Sequence, residues 1–190
     1  MHTEVMGNKL ELTLIDESNP LLKEPCTAWD FTSDGSPTEL VSALTRVMFS
    51  PNHGGIGLAA PQCGVMKNIF VMGSNENLIA VINPVIDELI GDKEMYLEGC
   101  LSYPDLWLHV LRHPECIVSY QTLDGTAVER KHLTDLQARV FLHEFDHLLG
   151  ITFEERVQSK LSLELAKKRR VKKRRQTEKA IKRMKAKATQ

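Results

Sequence analysis

The stretch His143-Glu144-Phe145-Asp146-His147-Leu148-Leu149-Gly150 decides how this chain is read. Residues four apart in an α-helix share a face, so His143 and His147 would present imidazole nitrogens to one ion with Glu144 beside it. The surrounding sequence predicts that helix. Thr134 is a cap candidate and Asp135 favours the first turn, while Leu136, Val140, Phe141 and Leu148 form a helical stripe that stops at Gly150. Two ordinary helix histidines would leave the same letters, so the metal reading needs a further ligand.

A catalytic metal takes three protein ligands and keeps one position open for water. In one protease pattern the third would be a His six residues after the second, but Phe153 stands there. A downstream carboxylate could only be Glu154, Glu155 or Glu164, at the edge of a basic tail or within it. Cys100 is the better candidate. It lies in Glu98-Gly99-Cys100-Leu101-Ser102, where a Gly lets the backbone come close and a bound cation would stabilise the thiolate. A buried Cys serving as a small hydrophobe is the plain alternative.

Working outward, Ser36-Pro37-Thr38-Glu39 has the form of a helix start, and Leu40, Val41, Leu44, Val47 and Met48 recur at helical spacing. A helix over 37–50 follows. From Lys67 to Arg130 the pattern shortens to that of strands, in the runs NIFVMG, LIAVINPVI, EMYLEG, WLHVLR, ECIVSYQ and TAVERK. Turn signals separate them at Ser74-Asn75, Asn83-Pro84, Gly91-Asp92 and Leu123-Asp124-Gly125-Thr126. The segment 153–184 lacks Gly and Pro and predicts an exposed helix. The expected fold is α+β: short, largely antiparallel sheets around the central metal-binding helix, with a basic C-terminal helix.

With 190 residues and 42% hydrophobic content the chain can bury one ordinary core. The net charge of -1 hides a division. Residues 1–155 hold 9 Lys and Arg against 23 Asp and Glu, and residues 156–190 hold 15 against 2. One catalytic domain over 1–155 with a basic extension over 156–190 is therefore expected. The first twenty residues carry acidic groups and no continuous apolar stretch, and no run is apolar enough for a membrane span. The chain reads as soluble and cytoplasmic. Cys26, Cys63, Cys100 and Cys116 are scattered without a C-x-x-C pair, which reads as reduced thiols.

Gly55-Ile56-Gly57-Leu58-Ala59-Ala60-Pro61-Gln62, Glu98-Gly99-Cys100-Leu101-Ser102 and the His143 to Gly150 stretch resemble, in order, the three signature motifs of peptide deformylases. The resemblance extends from about Asn19-Pro20 to Phe153. It implies that Cys100, His143 and His147 hold one divalent ion, ferrous iron in the cell, with zinc, nickel or cobalt able to replace it. Such an ion would supply hydroxide from water near neutral pH. Glu144 would be the general base and then the acid, and Gln62 with the Leu101 N–H would stabilise the oxyanion. The substrate would be the N-formylmethionine of a nascent peptide, and formate the product. Ile56 and Gly57 would bond the peptide backbone as an added strand, and Ile56, Trp107, Val140 and the stem of Arg139 would line the methionine pocket.

The chain departs from the family at Leu142, where Gln is usual, and at Trp107, where some members carry Arg. Asp146 is either a helper that orients a neighbour by a hydrogen bond or a surface carboxylate. His53, His109, His113 and His132 read as structural or exposed. The run Lys167-Lys168-Arg169-Arg170-Val171-Lys172-Lys173-Arg174-Arg175 could bind phosphate backbones, and the resemblance implies a ribosomal RNA contact there; a solvated charged helix is the plain alternative. Two other functions share the same helix: a metallopeptidase, and a nonenzymatic ribosome-binding or RNA-binding protein on a deformylase-like scaffold.

Overall fold

The computed structural model describes residues 9–51 and 53–188, with the side chains of the last two left aside. The reading of the extreme N-terminus falls partly outside those residues. Along the chain come α1 (Thr38–Met48), β1 (Gly57–Ala59), β2 (Ile69–Met72), β3 (Ile79–Ile90), β4 (Glu94–Gly99), β5 (Trp107–Arg112), β6 (Glu115–Gln121), β7 (Ala127–Thr134), α2 (Asp135–Leu148) and α3 (Lys160–Ala188). Short 3-10 turns lie at Pro20–Lys23, Ala60–Cys63 and Phe153–Arg156. The strands form a five-stranded sheet of order β1-β2-β3-β6-β7 and a separate β4–β5 hairpin, all pairs antiparallel. The α+β architecture is the one expected.

Helix α2 sits on the large sheet. Phe141 and Leu142 pack with Phe70, Val81 and Val118, and the Phe70 and Phe141 rings meet edge to face at 5.2 Å. α1 covers the β1–β3 end through Leu40, Leu44 and Met48. A third cluster, containing Leu22, Tyr103, Leu108, Val110 and Phe153, ties the hairpin to the body, and Leu163 and Ala166 of α3 join it. Gly150 ends α2 as predicted, for two reasons. Its φ of +70° suits glycine, and a Cβ there would lie 2.6 Å from the Lys23 carbonyl oxygen.

Several local expectations are revised. Asn83-Pro84 is not a turn but a bulge inside β3, with Asn83 at φ 49° and the register shifting between Ile82 and Val85. Asn83 replaces the lost ladder with its side chain, which accepts from Trp29 N–H at 2.7 Å and donates to Trp29 O at 2.8 Å. α1 is shorter than 37–50, and Ser36 gives it only a long 3.4 Å contact to Thr38 N–H. Glu39 turns instead to Leu10 N–H at 2.9 Å. Thr134 flanks α2 in extended backbone without a capping bond from its hydroxyl. The helix expected over 153–184 is interrupted, because Phe153–Arg156 form a 3-10 turn and α3 begins at Lys160. No helix among the described residues is long and apolar enough to cross a membrane.

Candidate metal centre

The helical repeat of α2 places His143 and His147 on one face, their ring centroids 5.1 Å apart. Cys100 arrives from the end of β4, where a turn closed by Tyr103 N–H on Cys100 O at 2.9 Å holds it. One ligand atom from each of the three lies within 4.8 Å of the others. Cys100 Sγ and His147 Nε2 are 3.3 Å apart. That is close to the edge of about 3.5 Å that ordinary zinc–sulfur and zinc–nitrogen bond lengths give for a tetrahedron. A thiol and two imidazoles, drawn from two elements and aimed at one point, fit a divalent transition metal and leave a fourth position.

Electrostatics agree with the geometry. Burial opposes charge on His143, but hydrogen bonds with Cys100 and Glu98 outweigh it and raise its pKa, so an ion bound at its Nε2 would take the place of a proton. Burial, then the charges of His143 and Arg112, push His147 well below its usual range and keep it the neutral imidazole that ligates metals. His143 Nδ1 meets Glu98 Oε2 at 3.0 Å, which leaves Nε2 for an ion. Burial pushes the Glu144 carboxyl up to about 7, and its Oε2 is buried with no hydrogen-bond partner among the described residues.

Gln62 is fixed from both ends. Its Oε1 accepts from Ala59 N–H at 2.9 Å, so its NH2 must face Cys100 Sγ at 3.4 Å and Ser102 Oγ at 3.3 Å. β1 is the edge strand of its sheet. Ile56 O accepts from Gly73 N–H at 2.9 Å, so by alternation the backbone of Gly57 faces the open edge. A Cβ on Gly57 would stand 2.9 Å from both the carboxyl carbon of Glu144 and Val140 Cγ1, so only glycine lets β1 lie against that carboxylate. Leu101 reaches back to Gly55, where a Cβ would be 2.7 Å from its Cδ1. Ile56 and Trp107 are exposed on the approach, and Val140 is half-buried.

Arg139 is committed elsewhere at its tip. Its guanidinium donates to Glu98 Oε1 at 2.8 Å and to Glu94 O at 3.1 Å, and lies 5.0 Å from the Tyr96 ring centre. It belongs to a buried charge network that the sequence did not disclose. Arg112 forks onto Glu98 at 2.8 and 3.1 Å and also donates to Asp146 Oδ2 at 2.7 Å and Leu142 O at 3.1 Å. Arg156 holds the other side of Asp146, at 3.0 and 2.5 Å. Asp146 is therefore a buried helper, acting through Arg112 and Glu98 on His143. Burial opposes ionisation of Glu98, yet His143 and Arg112 bring it to about 2.

Leu142 directs its side chain into the core between α2 and the sheet, so the departure there is a packing residue. Glu154 pairs with Lys167 at 3.0 Å and Glu155 accepts from Thr152, which takes both away from the histidines. His53, His113 and His132 are engaged with Val47 O, Gly91 O and Glu115, respectively.

The profile of the polypeptide deformylase family matches residues 12–162. A peptide deformylase of Thermotoga maritima is 42% identical over 135 residues, 71% of this chain and 80% of that protein. The crystal structure of a Synechococcus elongatus peptide deformylase in complex with actinonin superposes with a TM-score of 0.77 at 32% identity, covering 89% of this chain and 93% of that one. A class I type b peptide deformylase from Acinetobacter baumannii, with Met-Ala-Ser bound, gives 0.72 at 30% identity, covering 79% and 100%. A match that takes in both the cysteine loop and the histidine helix excludes a chance HExxH, and the chain belongs to the polypeptide deformylase family.

Proposed function

We propose that this chain, a metal-dependent hydrolase of the deformylase family, removes the formyl group of N-formylmethionyl nascent peptides with Glu144 as its proton carrier. The observation that carries the reading is Cys100 as third ligand beside His143 and His147, with the Gln62 amide aimed at the same point. The bound cation, ferrous iron in the cell with zinc, nickel or cobalt as replacements, would supply Lewis acidity and acidified water. The buried, unpartnered Oε2 of Glu144 takes the proton of the attacking water and later hands it to the departing amine. The Gln62 NH2 and the Leu101 N–H donate to the oxygen that gains charge as the formyl carbon becomes tetrahedral.

The peptide would add to the open edge of β1 through Gly57, with Ile56, Val140, Trp107 and the stem of Arg139 around the methionine side chain. Gly57→Ala tests that placement. Its Cβ meets Glu144 and Val140, so turnover should fall at least about tenfold while the fold persists, because the added methyl displaces the proton carrier. Wild-type activity in Gly57→Ala would exclude the close approach of β1. The function itself is tested by formate release. Anaerobically prepared protein offered a formyl-methionyl peptide should release formate, stop on chelation and recover with added iron or cobalt. Cleavage of internal peptide bonds instead would identify a metallopeptidase.

The working unit is taken as a catalytic domain of 1–155 carrying a basic extension of 156–190, in the cytoplasm where formylated chains emerge. Arg156 on Asp146, and Leu163 and Ala166 in the third core cluster, anchor the extension to that domain. Beyond the anchor Lys168, Lys172, Arg175 and Lys179 line one side of α3, suited to ribosomal RNA. Replacing these four by Gln should weaken co-sedimentation with ribosomes at low salt and flatten its salt dependence, without changing peptide hydrolysis. Unchanged co-sedimentation would exclude this stripe.

A further inference from the structure

The outer face of the β4–β5 hairpin is apolar and open. Register sets Gly99 opposite Trp107, Leu97 opposite His109 and Met95 opposite Leu111, so these six share one face. Met95, Leu97 and Trp107 are 57%, 45% and 59% exposed, whereas Leu108 and Val110 point into the core. α3 runs alongside and closes a groove of ≈ 640 Å³, with Leu165, Ala166, Arg169 and Lys173 on its far wall. That volume lies within the range of about 300–1,000 Å³ typical of ligand sites.

Two features say what fits there. The groove begins one residue along the chain from a metal-site side chain: the Trp107 ring lies against Gly99, where a Cβ would be 3.1–3.2 Å from it, and the next residue is Cys100. Its far wall carries surplus positive charge. Arg170 is committed to Glu17, Lys173 and Arg174 share Asp105, and Arg169 makes no ion pair among the described residues.

We propose that this groove binds the nascent-chain segment following the formylmethionine, with an apolar residue over Leu97 and Met95 and acidic residues beyond it near Arg169. The assignment rests on the deformylase reading and adds a sequence preference to it. From Gly99 to Met95 the strand advances about 13 Å, which an extended peptide covers in about four residues. The acidic preference therefore falls at roughly the fourth to seventh residues of the substrate.

The test uses the full chain, free of ribosomes, with formyl-Met-Ala-Ser and with formylated octapeptides carrying Asp or Lys at those positions. The Asp octapeptide should exceed its Lys counterpart in kcat/KM by about tenfold at low salt, chiefly through KM, and the ratio should shrink as salt rises. Arg169→Glu should abolish or invert the ratio, and Leu165→Asp should lower kcat/KM for the Asp octapeptide. Neither variant should alter hydrolysis of the tripeptide. Equal rates on the two octapeptides, or a preference that survives Arg169→Glu, would overturn the groove assignment while tripeptide activity keeps the deformylase reading. An inactive tripeptide would sink both. A wild-type dimer that Leu165→Asp dissociates would give this face to a second copy and end the proposal.

Discussion

Glu144→Gln should lower formate release from a formyl-methionyl peptide by roughly a hundred- to ten-thousand-fold, the usual contribution of a positioned acid–base group. The substitution keeps size and shape but removes the proton acceptor. Cys100, His143 and His147 are untouched, so metal stoichiometry should stay at the wild-type value, and the loss should appear in kcat rather than KM. The neighbourhood explains why a carboxylate is used. Burial lifts Glu144 to about 7 against the pull of the His143 and Arg112 charges, so the group works where taking and returning a proton are both accessible. A Glu144→Gln protein with full metal content and a rate within about tenfold of wild type would remove Glu144 from the chemistry.

The parts of this site that the sequence disclosed are those written locally. His143 and His147 are joined by one helical repeat, and Gly150 stops α2 at a position that needs glycine. Cys100 was legible through its motif and through the failure of the downstream glutamates to offer better. Arg112 escaped notice because its partners Glu98 and Asp146 lie 14 and 34 residues away. A signal existed nonetheless: in WLHVLR, Leu108 and Val110 alternate inward and the next inward position is Arg112. A charged residue in the buried phase of a strand predicts a partner, though not which one.

Elsewhere local chemistry misled. Asn-Pro carries the same letters whether the chain turns or, as at Asn83-Pro84, bulges and continues to pair. In the tail, helix-favouring composition outweighed Ser159, whose hydroxyl accepts from Ser162 N–H at 3.3 Å as α3 starts. The departure at Leu142 drew attention by standing next to His143, yet its side chain is turned to the core and its carbonyl is what the site uses, through Arg112.

Arg112→Met should be the most destabilising change near the site, lowering stability by about 3–5 kcal/mol. At roughly 2–4 °C per kcal/mol for a chain of this size, Tm should fall by about 6–20 °C. The cost does not come from losing an attraction alone. Glu98 and Asp146 are both buried, and without Arg112 each keeps one guanidinium, Arg139 or Arg156, in place of two. Desolvated carboxylates that lose a charge partner are penalised more than an exposed pair would be, since solvent cannot replace the lost donors. Arg130, paired with Glu88 on the surface, supplies the contrast, and Arg130→Met should change stability by less than about 1 kcal/mol. The metal centre should register the same change. Glu98 orients His143 through Nδ1, so a cobalt-substituted Arg112→Met protein should show an altered visible spectrum and weaker metal retention, and Arg112→Lys only partial recovery, because an ammonium cannot fork onto Glu98 while reaching Asp146. Wild-type Tm together with a wild-type cobalt spectrum in Arg112→Met would mean that Glu98 holds His143 without help, and that the network serves neither stability nor the metal.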